Sequence, residues 1–192
     1  MSLDLITGPA TEPVSLSEIK QHCRVDSDLT ADDAFLGALI SAARERCEHE
    51  LGSVLITQTW ERVLDAFPAS GDILLGKPPV QSIASIKYID TTGVERTLGA
   101  GNYLLSAGNG GWAILANGAA WPDTADTADA VRVRFIAGHQ NAAAVPESIK
   151  LWIKLHVGEW YATREAASDK PRTLLDYAGG LLDRYREWAR CW

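Results

Sequence analysis

The residues able to do acid–base, metal or nucleophilic chemistry are few and scattered. The four histidines, His22, His49, His139 and His156, form no H-x-x-x-H or H-E-x-x-H pair. Such spacings put two imidazoles on one helix face for a metal ion. Three cysteines, Cys23, Cys47 and Cys191, include no C-x-x-C, and an odd count suits neither a disulfide framework nor a zinc site. His22-Cys23 and Cys47-Glu48-His49 converge only if their two helices pack together, and Cys47 and His49 then point to different helix faces. Asp32-Asp33 reads as a helix cap rather than a general acid and base, because the positive end of a helix favours carboxylates. Gly108-Asn109-Gly110-Gly111 lacks the G-x-G-x-x-G spacing and opens no helix, so it reads as a hairpin turn. No G-x-x-x-x-G-K-[ST] and no G-x-S-x-G is present. His156 falls on an apolar helical stripe, where a hydrogen-bonded core or interface histidine is expected. These patterns point to no catalytic residue, no metal and no cofactor.

The elements that would have to position such residues are legible in part. Ser15-Leu16-Ser17-Glu18 is a capping box, which starts a short helix running to about Cys23. Thr30-Ala31-Asp32-Asp33 starts a second, where Leu36, Leu39, Ile40, Ala43, Cys47 and Leu51 recur at helical spacing until Gly52. Its polar face holds Arg44, Glu45, Arg46, Glu48, His49 and Glu50, suited to solvent or to a partner subunit. Beyond Gly52 the period becomes two. Strands are expected near Ile56–Phe67, Ile73–Leu75, Ile83–Ile89, Val94–Leu98, Asn102–Leu105, Trp112–Leu115 and Val131–Gly138, with a hairpin turn at Asp90-Thr91-Thr92-Gly93. Helical period returns after Pro146-Glu147 with Ile149, Trp152, Ile153, His156, Val157 and Trp160. A polar connector, Arg164 to Arg172, leads to a last amphipathic helix through Leu174, Ala178, Leu181, Leu182, Tyr185, Trp188 and Trp192, weakened at Gly179-Gly180.

The expected class is therefore α+β: a mostly helical core of two N-terminal and two C-terminal helices with a small antiparallel β unit inserted. Residues 1–52 form the helical hairpin, 53–138 the β insertion, and 139–192 the helices that pack back on the first pair.

The chain has 192 residues, 46% of them hydrophobic and 22% charged, with a mean hydropathy of −0.07. That composition excludes disordered and fibrous classes. The net charge is −7, from 25 acidic and 18 basic side chains. Such a molecule repels phosphate as a whole, which disfavours gripping nucleic acid or anionic lipid. The surplus is uneven: residues 1–53 carry 10 acidic and 4 basic side chains, whereas residues 97–192 balance at 10 of each. No basic n-region leads an apolar stretch at the start, and the charge-free run Thr97–Pro122 is too rich in glycine and asparagine to span a membrane. The cysteine usage suits a reducing cytosol. Four of the seven tryptophans, Trp152, Trp160, Trp188 and Trp192, fall in the last two helices. There they dock either within the subunit or against a neighbour.

Several strings, taken in order, resemble the head-tail connector or head-completion adaptor proteins of long-tailed bacteriophages and prophages. They are Glu12-Pro13-Val14-Ser15-Leu16-Ser17-Glu18-Ile19-Lys20 with Cys23-Arg24-Val25-Asp26; Leu39-Ile40-Ser41-Ala42-Ala43-Arg44-Glu45; and Leu55-Ile56-Thr57-Gln58-Thr59-Trp60. Further on come Pro78-Pro79-Val80-Gln81-Ser82-Ile83, Phe135-Ile136-Ala137-Gly138, Val145-Pro146-Glu147-Ser148-Ile149-Lys150 and Trp160-Tyr161-Ala162-Thr163-Arg164-Glu165. The chain departs from the family at its end, where Glu187–Trp192 follow the Leu181-Leu182-Asp183-Arg184-Tyr185-Arg186 match.

The resemblance implies a non-enzymatic structural subunit without cofactor, located in the virion neck and assembled in the bacterial host cytoplasm. It implies a homo-oligomeric ring under the portal protein, with a dodecamer among the options and templated assembly another. Double-stranded DNA passes through it, a tail or neck-completion protein docks on it, and no membrane is involved. The alternative class is a DNA-packaging accessory or DNA-binding module. A closed ring needs two different complementary faces on each subunit. The acidic first segment facing a neighbour's cations is one such pair, which makes Arg44, Glu48, Arg132, Arg134, Lys150, Lys154, Trp160, Arg172, Trp188 and Trp192 the candidate subunit-interface residues.

Overall fold

The computed structural model describes residues 1–69, 71–108, 110–163 and 180–186. The chain divides into two compact units, one made of residues 1–10 and 57–139 and the other of residues 11–56 and 140–192.

The helical unit is built on α1 (Leu16–Cys23), α2 (Asp33–Leu51) and α3 (Glu147–Thr163). Helix α1 begins where the capping box requires. Glu18 N donates to Ser15 Oγ at 3.3 Å and Ser15 N donates to Glu18 Oε2 at 2.9 Å. It ends at Arg24, which takes the left-handed conformation with φ 57°. Helix α2 ends at Gly52, φ 68°, the residue that adopts this conformation at least cost. The three helices enclose one apolar core, in which Ile19 of α1, Leu36, Ile40, Ala43 and Cys47 of α2, and Ile149, Trp152, Ile153 and Val157 of α3 are all buried. The same stripes that announced the helices supply this core, since residues at i, i+3, i+4 and i+7 share one face.

The other unit is built on strands, with one 3₁₀ turn at Ala100–Asn102 among its described residues. Strands β1 (Ser2–Thr7), β2 (Gln58–Leu64), β4 (Val80–Ile89), β5 (Glu95–Thr97) and β8 (Val131–Ala137) form an antiparallel sheet in the order β1-β2-β8-β4-β5. Strands β3 (Ile73–Leu74), β6 (Tyr103–Ser106) and β7 (Trp112–Leu115) form a second sheet in the order β3-β7-β6. In β8, buried Val131, Val133, Phe135 and Ala137 alternate with exposed Arg132 and Arg134, so one face of the sheet is core and the other is solvated. The turn joining β4 to β5 is held by Asp90, whose Oδ1 accepts from the backbone N–H of Thr92 at 2.9 Å and of Val94 at 3.0 Å. The Thr92 hydroxyl, which also donates to Oδ1, then the Arg96 guanidinium and the Val94 N–H keep the Asp90 carboxyl well below its usual range. Gly111, φ 70°, lies so close to Val80 that a Cβ there would sit 2.3 Å from Val80 Cγ2, which only glycine avoids.

This architecture corrects the expected class. Among the described residues there is no mostly helical, four-helix core; they form three helices and eight strands, 32% helix and 27% strand, with a sheet of five strands. The physical reason lies in β1, whose six residues pair with β2 some sixty residues further along, Ser2 opposite Val63 and Leu5 opposite Trp60. Long-range pairing makes that segment a strand. The expected fourth helix falls largely outside the described residues; within Gly180–Arg186 the chain makes a 3₁₀ turn at Asp183–Tyr185.

Candidate assembly surface

The charges of the helical unit are largely engaged within it. Arg44 on α2 is only 6% exposed. Its Nε donates to Glu12 Oε2 at 2.9 Å and its Nη1 to Glu48 Oε2 at 2.8 Å, one helical turn away. Both acids have further partners: Glu12 Oε1 accepts from Ser41 Oγ at 2.7 Å, and Glu48 Oε1 accepts from the Leu55 N–H at 2.8 Å. A buried guanidinium with hydrogen-bonded carboxylates on both sides ties the chain before α1 to the middle and the exit of α2. Arg44 and Glu48, two of the expected interface residues, thus meet each other inside one subunit.

Lys20 plays a similar part in the loop between α1 and α2. Its Nζ donates to the carbonyls of Ser27 at 3.3 Å and Leu29 at 2.9 Å, and it pairs with Asp33 at 2.6 Å. Asp32 occupies the N-cap position of α2 without capping it; its Oδ2 accepts from Tyr161 Oη of α3 at 2.6 Å instead. Lys154 donates to Glu18 Oε1 at 3.0 Å, and Lys150, buried, pairs with Glu147 one turn earlier. The Ser15 N–H and hydroxyl, followed by Lys154, bring the Glu18 carboxyl down to about 2. Sequence patterns marked Glu18 as a cap but not as the partner of α3.

Among the described residues, His156 is held by hydrogen bonding and ring packing and Cys47 by burial. His156 Nδ1 lies 2.9 Å from the Trp152 carbonyl, so this nitrogen carries the proton, and the imidazole stacks on Trp152 at 3.7 Å between ring centroids. Trp160, half-buried, meets His156 edge-on and has the Arg46 guanidinium 6.0 Å from its ring. Burial, then the nearby Glu50 and Glu48 carboxylates, push the Cys47 thiol up to about 12, which leaves it un-ionised. Cys47 is buried and His49 exposed, on different faces of α2. Among the described residues no group of three or more His, Cys, Asp and Glu side chains could hold a metal ion, and no helix is long and apolar enough to cross a membrane.

On the β unit, the solvated face of the five-stranded sheet carries Arg132 and Arg134. Arg134 pairs with Glu61 across the β2–β8 ladder, with Nη2 to Oε2 at 2.8 Å. Lys87, opposite Arg132 in the ladder, pairs with Glu95 at 2.9 Å. Arg132 and Arg134, both expected interface residues, thus sit among acids on this face. Arg172, Trp188 and Trp192 lie outside the described residues.

Expectations from the sequence omitted one surface. The edge strand β1 exposes Leu5 (50%) and Ile6 (44%), and β6, the edge of the smaller sheet, exposes Leu104 (56%). The alternation of Leu3, Asp4 and Leu5 ahead of Gly8-Pro9 is the only local sign of β1.

Residues 13–89, which span α1, α2 and β2 to β4, match the family of phage gp6-like head-tail connector proteins. No curated protein sequence matches the chain. Among solved structures, the chain is similar to a subunit in the neck of an empty gene transfer agent (GTA) particle computed with C6 symmetry. The TM-score is 0.82 at 25% identity, over 97% of this chain and 95% of that one. A chain of the native GTA virion gives 0.80 at 25% identity over the same shares. A chain of the native particle's neck, computed with C12 symmetry, shares the fold with a TM-score of 0.73 at 24% identity, again over 97% and 95%. The matched family is one of head-tail connectors, and two of these three structures are particle necks. Joined to the helices and sheets that residues 13–89 build, these likenesses support a structural neck protein, similar over residues 13–89 to the phage gp6-like head-tail connector proteins and over nearly its whole length to the neck chains.

Proposed function

We propose that copies of this chain form a closed ring in the neck of a phage-like particle, beneath the portal, through which double-stranded DNA passes and on which a tail or neck-completion protein docks. The observation that carries this reading is the likeness, at a TM-score of 0.82 over nearly the whole chain, to a subunit of a neck computed with C6 symmetry. Cyclic symmetry places each copy against the next through two different faces. The charge supports passage of DNA rather than its retention. The net charge is −7, and on the solvated face of the large sheet Glu61 and Glu95 offset Arg134 and Lys87. Of the cations expected to meet a neighbour's acidic first segment, Lys150, Lys154 and Arg134 have acidic partners in their own subunit and Arg172 lies outside the described residues, so among the described cations the pairing turns on exposed Arg132, which also feels Glu95. The protein acts as a scaffold in the virion neck and assembles there in the host cytoplasm, without cofactor or reaction.

The test is electron cryomicroscopy of particles from cells that carry the gene or lack it. The expected result is a ring of this chain at the head-tail vertex, and tailless heads when it is deleted. Normal tailed particles without the chain would overturn the reading. Micromolar binding of duplex DNA at physiological salt would support the DNA-binding alternative instead.

A further inference from the structure

The two sheets of the β unit end in strand edges of two kinds. The β5 edge is three residues long and carries Glu95 and Arg96, the short charged form by which sheets avoid joining other chains. The β1 edge lacks that short charged form, its one irregularity being a register shift between Leu5 and Thr7. It is six residues, Ser2–Thr7, without Lys, Arg or Pro, and its single charge, Asp4, accepts from Ser2 Oγ at 2.7 Å. Its outer row of N–H and C=O groups faces no described strand.

Side chains show the same incompleteness. Residues directly opposite in a ladder share a sheet face. One row therefore runs Ile83 (β4), Phe135 (β8), Trp60 (β2), Leu5 (β1). Phe135 is fully buried in that row and Leu5 is half exposed at its end, so the apolar face continues to the edge and stops uncovered. A second unguarded edge lies in the other sheet, where β6, Tyr103-Leu104-Leu105-Ser106, is uncharged and exposes Leu104 at 56%.

We propose that β1 of one subunit adds as a strand to the β6 edge of a second copy of this chain, and that this main-chain pairing is the subunit contact of the ring. The inference rests on the ring reading above. A ring of one chain needs a donor face and a different acceptor face on each subunit. Among the described residues, β3, the fourth edge, is only two residues long, and the two longer unguarded edges, β1 and β6, are apolar, uncharged but for Asp4, and each has one protruding leucine. Strand addition supplies affinity through main-chain hydrogen bonds, and the two leucines supply register.

The experiment places a photo-crosslinking phenylalanine analogue at Leu5 in particles assembled in the cell, with the crosslinked peptides identified by mass spectrometry. The expected product is a dimer of this chain joined at Tyr103–Ser106 of the second copy. A crosslink to another neck protein, to the helices of a second copy, or none at all, in particles that contain the chain, overturns the strand pairing and leaves the neck reading standing. Particles without the chain overturn both. A charge-swap series gives an independent reading. Leu5→Lys and Leu104→Lys, each at an exposed site that leaves the far-ultraviolet circular dichroism unchanged, reduce incorporation into particles to background. Leu5→Lys combined with Leu104→Glu restores it. Incorporation of the single variants at the wild-type level, or no rescue by the pair, rejects the contact.

Discussion

Lys154 of α3 donates to the same carboxylate that closes the capping box of α1: Glu18 receives Lys154 Nζ on Oε1 at 3.0 Å and the Ser15 N–H on Oε2 at 2.9 Å. A signal that is local in the sequence thus doubles as a tertiary clasp between the first helix and the third.

That clasp makes stability acid-sensitive in a defined window. The Glu18 carboxyl is depressed from an ordinary value of 4.5 to about 2, so its contribution is fully present above about 4.5 and is lost as the pH falls toward 2. Glu18 is partly exposed, and screening holds the effect to about 0.5–1 kcal/mol. Urea unfolding of wild type and Glu18→Gln at pH 7 and pH 3 should show a smaller loss on acidification in the variant. Equal losses would contradict the role of Glu18.

Arg44 offers a larger effect. Arg44→Met removes the guanidinium between Glu12 and Glu48 and should destabilise the protein by about 3 kcal/mol, the scale of an ion pair broken in a buried site. Arg44→Lys should recover only part of this, because an ammonium cannot reproduce the fork that reaches both carboxylates. Denaturant midpoints measure both, and an Arg44→Met variant as stable as wild type would contradict this account.

Gly111→Ala should be among the most damaging single-methyl additions. The new Cβ would meet Val80 Cγ2 at 2.3 Å in a backbone with φ 70°. Strain of this kind costs about 1 kcal/mol or more before the clash is counted. Adding Val80→Ala should relieve the clash but not the backbone strain, so thermal melting should show partial rescue.

The Cys47 thiol, pushed up to about 12 and buried, is almost entirely un-ionised at pH 8, with roughly one thiolate in ten thousand. Maleimide or disulfide-exchange reagents should label the Cys47 peptide only after denaturant is added. Labelling of the native protein within minutes, followed by mass spectrometry, would contradict this burial.

Arg132 tests the electrostatic part of assembly. If a neighbour's acidic segment meets it, Arg132→Glu should weaken ring formation and abolish its sensitivity to salt between 50 mM and 500 mM in sedimentation experiments; assembly that is indifferent to salt in the wild type would remove this interaction from the account.

How much was legible from sequence can be judged residue by residue. Ser15 and Glu18 announced α1, Gly52 ended α2, and the alternation of Val131, Val133 and Phe135 with Arg132 and Arg134 marked β8. Each is a short-range pattern that local sterics and hydrogen bonding enforce wherever the chain goes. The charged residues were read less well. Arg44 and Glu48 lie on the polar face of α2 by periodicity, yet Glu12, thirty-two residues earlier, draws Arg44 into a buried network.

The sequence by itself determined the starts of α1, α2 and α3 and the stops of α1 and α2, most of the strands, the acidic first segment and the strings that resemble the connector family, because these depend on neighbours a few residues apart. Only the tertiary structure decided that Ser2–Thr7 is a strand, that β2 lies between β1 and β8, and that Asp32 serves Tyr161 rather than its own helix. In those cases the deciding partner lies about sixty or more residues away, and a six-residue segment has no periodicity long enough to reveal which partner will satisfy its backbone and side chains.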